Sequence, residues 1–242
     1  MVSQFESAIV RVFASDNRVV GSGFLITSNH IVTCCHVISQ ALNQADSILP
    51  PRESIFVDFP FLEREQFFSA RVVHWLPKKG SSGDIAVLLL ETPKPEKVEP
   101  VVIVTNEELT GRNVRTHGFP TGYEDDGRPA LSVIVGLLAG GRLSIQGTSS
   151  YGVWVEGGFS GAPVWDDAFS AVVGMVVTVD TGVERSASII PASMFSQYAN
   201  VSQSKRDDTD ILGVVNDYRL GSADRSAKTS GSFVFISYSH DD

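Results

Sequence analysis

Short apolar runs recur from residue 8 to residue 190, and turns rich in Gly, Asn, Asp and Pro separate them. Residues 8–14 are apolar and β-branched and predict a strand, with Asp16-Asn17 as the turn after it. Residues 19–27 predict a second strand, broken by Gly21-Ser22-Gly23, and residues 30–33 a third. A short helix is expected over 37–43, and a polar loop with Pro50-Pro51 over 44–53. Residues 54–59 alternate, with Ile55, Val57 and Phe59 on one face, and 67–76 and 85–90 are further strands around a surface loop at 77–83. The proline-rich stretch from Pro93 to Pro100 is the natural joint between two halves. Beyond it, strands are predicted over 101–104, 111–118, 131–139, 142–146, 151–155, 164–165, 171–179 and 187–190, with a short helix opening at Pro191. About a dozen strands with short links and little helix predict an all-β protein of two barrel-like sheets.

Composition narrows the range of functions. The chain has 242 residues, 43% of them hydrophobic, enough for one sizeable core or two small packed layers. Net charge is −9 and no basic run occurs, which argues against nucleic acid as a partner. The longest apolar runs, such as 85–90, are too short to cross a bilayer, and the first residues carry no basic-then-apolar signal pattern. The only cysteines are the adjacent Cys34 and Cys35, expected as free thiols in a reducing cytoplasm. With no second Cys/His cluster, a metal site is not expected.

The chemistry concentrates in Gly157-Gly158-Phe159-Ser160-Gly161-Ala162-Pro163, a serine among glycines between two apolar runs. Two readings fit it. It is a tight turn, or it is a nucleophile whose neighbouring N–H groups face the same reacting carbonyl. Upstream, His36 follows small residues in Thr33-Cys34-Cys35-His36-Val37. Asp84 heads the wholly apolar run 85–90, either ending a turn or buried to orient a histidine. The order His, Asp, Ser is that of chymotrypsin-type enzymes, whereas α/β-hydrolases and subtilisins run otherwise.

These three segments resemble the motifs of trypsin-like serine proteases, most closely the bacterial HtrA-like or glutamyl-endopeptidase-like branch. The resemblance covers roughly residues 5–200. It implies two six-stranded antiparallel β-barrels of the chymotrypsin type with a short C-terminal helix, a protease domain over 1–200, and a barrel joint near 92–100. It implies catalytic roles for His36, Asp84 and Ser160 and an oxyanion hole made by the N–H groups of Gly158 and Ser160. A protein or peptide is then the substrate, and no cofactor is required. Three departures stand out: Phe159 occupies a position held by aspartate in digestive relatives, Val37 replaces a cysteine, and Ala162 replaces a glycine. Phe159 therefore predicts no activation by a freshly cut N-terminus. The specificity pocket would be walled by Trp154, Val177, Thr178, Val179, Asp180 and Ser188. Asp180 fits either a basic P1 residue or the Asp180-Thr181-Gly182 turn, and the expectation is a small or medium apolar P1.

Residues 201–231 turn polar and small-residue-rich and are expected as a linker. Residues 232–242, Ser-Phe-Val-Phe-Ile-Ser-Tyr-Ser-His-Asp-Asp, resemble the first strand of a bacterial TIR domain. That likeness implies the truncated start of such a domain, self-association or partner binding through it, and a signalling or antiphage-defence setting. The competing expectation is a catalytically silent trypsin-like module that binds peptides as a scaffold.

Overall fold

Valine, isoleucine and phenylalanine fill the strand positions because their branched or planar side chains pack well on a pleated surface. In the computed structural model they build twelve strands among the described residues, which are 2–105, 108–149, 153–179 and 185–200. All of these belong to one unit, Met1–Ser204. The expected linker and TIR-like segment lie outside the described residues.

The first barrel comprises β1 (Ile9–Phe13), β2 (Val19–Leu25), β3 (His30–Thr33), β4 (Ile55–Phe59), β5 (Glu63–Leu76) and β6 (Ile85–Leu90), closed in the order β1-β2-β3-β6-β5-β4. The second comprises β7 (Asn113–Gly118), β8 (Arg128–Leu137), β9 (Leu143–Gly147), β10 (Pro163–Asp166), β11 (Ala171–Val179) and β12 (Ser186–Pro191), in the order β10-β11-β12-β9-β8-β7. All named pairings are antiparallel, and closure removes the open edges that would otherwise seek partners. The expected two six-stranded barrels are therefore present. Helix α1 (Gln4–Ser7) precedes the first barrel, and α2 (Cys35–Ala41) follows β3.

Ile55, Val57 and Phe59 are all buried, as their alternation predicts. Asp58, between Val57 and Phe59, is buried too, because Arg11 meets its carboxylate with both Nε, at 2.9 Å, and Nη2. Arg11 Nη1 also donates to the Glu124 carbonyl at 3.0 Å, so this buried ion pair ties the first barrel to a loop of the second. Breaking such a pair from one side costs about 3–5 kcal/mol, since the other charge is left buried. Aromatic straps join the halves as well: Phe5 of α1 packs 5.2 Å from Trp165, and Phe24 packs 5.8 Å from Phe195.

Four local expectations change. Residues 101–104 form no strand. Val101 N–H donates to Leu25 at 3.0 Å and Val104 N–H to Val172 at 3.1 Å, so the segment divides its bonds between the barrels and builds no ladder. Residues 153–155 form no strand either, since β9 and β12 already have both neighbours in a closed barrel. The helix begins at Cys35, ahead of the expected Val37, which places His36 in its first turn. The C-terminal helix is a pair of 3-10 turns, Ala192–Met194 and Ser196–Asn200, with Pro191 as the extended cap before the first.

Candidate active site

Helix α2 opens without a side-chain cap from its own N-cap residue, Cys34. Its His36 N–H instead donates to Asp84 Oδ1 at 3.1 Å, so a carboxylate from the neighbouring segment satisfies one of the helix's orphan donors. The second carboxylate oxygen, Oδ2, lies 2.8 Å from His36 Nδ1. The pair thus fixes both the start of the helix and the orientation of the ring. Asp84 takes a left-handed backbone conformation (φ 77°), tolerated by aspartate and strained enough to need support. Its N–H donates to the Leu76 carbonyl at 2.8 Å, which anchors it beside the head of β6.

Asp84 is buried while the His36 side chain keeps 22% of its surface exposed. Burial pushes the Asp84 carboxyl upward. The hydrogen bonds and charge of His36, with the Arg142 guanidinium, outweigh burial and hold the carboxyl below its ordinary value. Asp84 is accordingly a carboxylate that accepts, and His36 Nδ1 is the donor.

Two successive turns share Phe159, and Ser160 is the second residue of the later one. Phe159 N–H donates to the Glu156 carbonyl at 3.1 Å, and Ala162 N–H to the Phe159 carbonyl at 2.9 Å. Gly158 (φ 96°) and Gly161 (φ 85°) occupy the third positions of these turns, where positive φ favours glycine. A side chain at Gly161 would also strike the Ser22 carbonyl, and one at Gly158 the Phe119 carbonyl. The turns are seated on the first barrel by Ser22, whose N–H donates to the Ser160 carbonyl at 2.8 Å and whose hydroxyl donates to the Gly158 carbonyl at 3.3 Å. A Cβ at Gly21 would meet Val37 at 2.8 Å and the Ser160 carbonyl at 3.1 Å, so the serine turn and the residue after His36 flank one point. Among the described residues, the N–H groups of Gly158 and Ser160 and the Ser160 hydroxyl have no hydrogen-bond partner.

Phe159, between these two N–H groups, is fully buried in the core of the second barrel and packs on Gly118. Among the residues expected to bind substrate, Trp154 is half-buried, donates its indole N–H to the Ser149 carbonyl at 3.0 Å and carries the Arg185 guanidinium 4.2 Å over its ring. Val177 is buried within the core cluster that spans both barrels. Thr178 and Val179 lie in β11 opposite Ser188 and Ala187, and Ser188 is buried opposite Ser144 as well. Asp180 lies outside the described residues.

Several residues around the site take roles other than those the sequence suggested. Gly21 does not break β2; it thins the strand where Val37 and the serine turn approach, and a glycine inside a strand pattern is the signal for such an approach. Thr33 holds β2 in place by donating its hydroxyl to the Ser22 carbonyl at 2.6 Å. Phe119 donates its N–H to the Gly158 carbonyl at 3.1 Å.

Against known families, residues 21–175 match the model of the trypsin-like peptidase domain, and the chain belongs to that family. That membership places it among the serine peptidases. Among solved structures, the active form of the Rv3671c protease of M. tuberculosis is 20% identical, with 85% of each chain covered and a TM-score of 0.59. An inactive form of Rv3671c from M. tuberculosis H37Rv is 18% identical over 83% of this chain and 91% of that one, with a TM-score of 0.56. The serine endoprotease of Yersinia pestis is 18% identical, with a TM-score of 0.58, and the match covers 81% of this chain and 65% of that one. At these identities the structures attest the shared fold. No curated protein sequence matches the chain.

Proposed function

We propose that this chain is a serine endopeptidase in which Ser160 is the nucleophile, His36 the general base and Asp84 the group that orients it. The observation that carries this reading is the doubly bonded His36–Asp84 pair beside a serine turn seated on Ser22. Asp84 keeps the proton on Nδ1, which leaves Nε2 with the lone pair that takes the Ser160 hydroxyl proton. The Ser160 oxygen then bonds to the scissile carbonyl carbon. The Gly158 and Ser160 N–H groups stabilise the resulting oxyanion, at about 3 kcal/mol per donor in comparable enzymes. Imidazolium returns the proton to the leaving amine, and water resolves the acyl-enzyme by the same relay in reverse.

The substrate reading follows from β11. Its pairing with β10 ends at Met175, so Thr178 and Val179 have β12 as their only ladder partner among the described residues, with Val177 at the irregularity between Val176 and Thr178. An extended peptide would add along that free side. Aliphatic residues in the neighbouring core, Val155, Ala187 and Ile189, favour a small or medium apolar P1 side chain.

The wider reading is a cytoplasmic protease module within a larger TIR-containing signalling or defence protein. It is supported by the two buried free thiols and by the sequence likeness of residues 232–242. Fluorophosphonate labelling tests the core of the proposal: wild-type chain should be labelled and Ser160→Ala should not. Labelling that persists in the variant would reassign the nucleophile. Peptide binding without labelling of the wild type would make the chain a silent scaffold module.

A further inference from the structure

Helix α2 and the strand before it carry one group that proteolysis leaves unused. Cys34, His36 and Asp84 each bring one ligand-type atom within 4.8 Å of the other two. Cys34 is fully buried beneath the His36–Asp84 pair, and its thiol donates to the Val176 carbonyl at 3.4 Å. Cys35 points elsewhere, donating to the Leu76 carbonyl at 3.3 Å and the Ile85 carbonyl at 3.1 Å. The vicinal cysteines therefore differ in kind: one belongs to the site and the other pins the backbone on either side of Asp84.

Thiol, imidazole and carboxylate together form a donor set for a borderline or soft divalent cation and not for magnesium or calcium. The geometry points to an inhibitory site for such a cation, Zn2+ or Cd2+, held by Cys34 Sγ, His36 Nδ1 and an Asp84 oxygen. The inference rests on the reading of His36 as general base. Charge favours it, because one thiolate and one carboxylate neutralise a divalent ion in a buried setting. Bonds of about 2.0–2.3 Å to such ligands give a tetrahedral edge of about 3.5 Å, so modest rotations of the thiol and the ring close the site. The His36 ring keeps part of its surface in solvent and Cys34 and Asp84 are buried, so the ring is the door by which an ion enters.

The chemistry balances and accounts for inhibition. The cation displaces the Cys34 S–H proton, which leaves to solvent, and a metal–sulfur bond forms. It also takes the lone pair of Nδ1, so the neutral ring must carry its proton on Nε2. A protonated Nε2 cannot accept the Ser160 proton, and the base is silenced with no change in the serine.

Binding is read without relying on activity. Ser160→Ala chain titrated with CdCl2 should show a thiolate-to-cadmium charge-transfer band that saturates at one ion per chain. Cys34→Ala in that background should lose the band and bind far more weakly, beyond the about 10–100-fold that outer-shell changes cost. Cys35→Ala should keep the band. Cys34→Ser, which preserves side-chain size, replaces the alanine variant if the latter does not fold. In the Ser160 protein, ZnCl2 should slow fluorophosphonate labelling, a chelator should restore it, and CaCl2 and MgCl2 should leave it unchanged. No stoichiometric band, or a band lost with Cys35 instead of Cys34, overturns the site. Cadmium bound through Cys34 in a chain that is never labelled leaves the site standing and removes the peptidase reading.

Discussion

In the first barrel the candidate base, His36, arrives fully braced: its N–H and its Nδ1 both meet Asp84, and Asp84 is itself anchored to Leu76. In the second barrel the serine turn is braced against the first through its carbonyls, and Gly161 N–H ties it to the Val176 carbonyl at 2.8 Å. The Ser160 and Gly158 carbonyls accept from Ser22 and Phe119, while the N–H groups of the same residues have no acceptor among the described residues. The contrast follows from what each half would do. A general base must hold one tautomer before the substrate arrives. Donors meant for a developing oxyanion stabilise it most when no internal acceptor competes for them. The glycines at 158 and 161 allow the second arrangement, since each turn needs a backbone conformation that a side chain would strain.

The most severe way to break the braced half is Asp84→Asn. It replaces the carboxylate facing Nδ1 with an amide, so the ring loses the partner that fixes its tautomer. The expected loss is about 10^4-fold in kcat with little change in the thermal midpoint, read by peptide hydrolysis and calorimetry. A variant within tenfold of wild type would mean that Asp84 serves only to end its turn.

The second half should break through Phe159. Phe159→Ala leaves a cavity in the second barrel, with an expected cost of about 3–5 kcal/mol in denaturant unfolding. Labelling of Ser160 should slow as well, because the turn loses its anchor on Gly118. Unchanged labelling in the folded variant would show that Ser22 alone holds the turn.

Ser22→Ala removes the hydroxyl bond to the Gly158 carbonyl and keeps the backbone bond to Ser160. The expected stability loss is about 1 kcal/mol, with a drop in kcat/KM larger than that stability change alone would produce.

The mildest expected effect is on pH. Burial lowers the pKa of His30, His74 and His117 below the ordinary imidazole value. The folded state therefore binds fewer protons than the unfolded chain just below pH 6.5. Stability is fully present above that pH and falls as the pH drops through the window toward the lowered folded values. His117, buried between Phe61 and Phe119, should contribute at most about 1.4 kcal/mol per pH unit to that slope, and His117→Gln should flatten it. An identical slope in the variant would assign the acid sensitivity to the other histidines.

Much of the fold was legible along the chain because a strand writes its burial into consecutive residues. The alternation at 55–59, the continuous run at 85–90 and the apolar run at 171–179 all mark strands that form. Segments 101–104 and 153–155 misled because their composition suits a strand, while the closed barrels left them no place in a ladder. The candidate residues were legible for another reason. His36, Asp84 and Ser160 stand in local settings whose residue types are unusual for plain loops, and their order along the chain narrowed the fold type.

What the sequence by itself determined is therefore local: which runs are extended, which turn needs glycine at two positions, and which three side chains are the candidates for the chemistry. Only the tertiary structure decided how Asp84 divides its two oxygens between the His36 ring and backbone. It also decided that Ser22 of one barrel seats the serine turn of the other, and that Cys34 lies with the pair while Cys35 does not. The physical reason is that side-chain type and periodicity act between near neighbours in sequence. The hydrogen bond between His36 and Asp84, 48 positions apart, depends on how the first barrel closes, and the one between Ser22 and Gly158, 136 positions apart, on how the two barrels come to rest against each other.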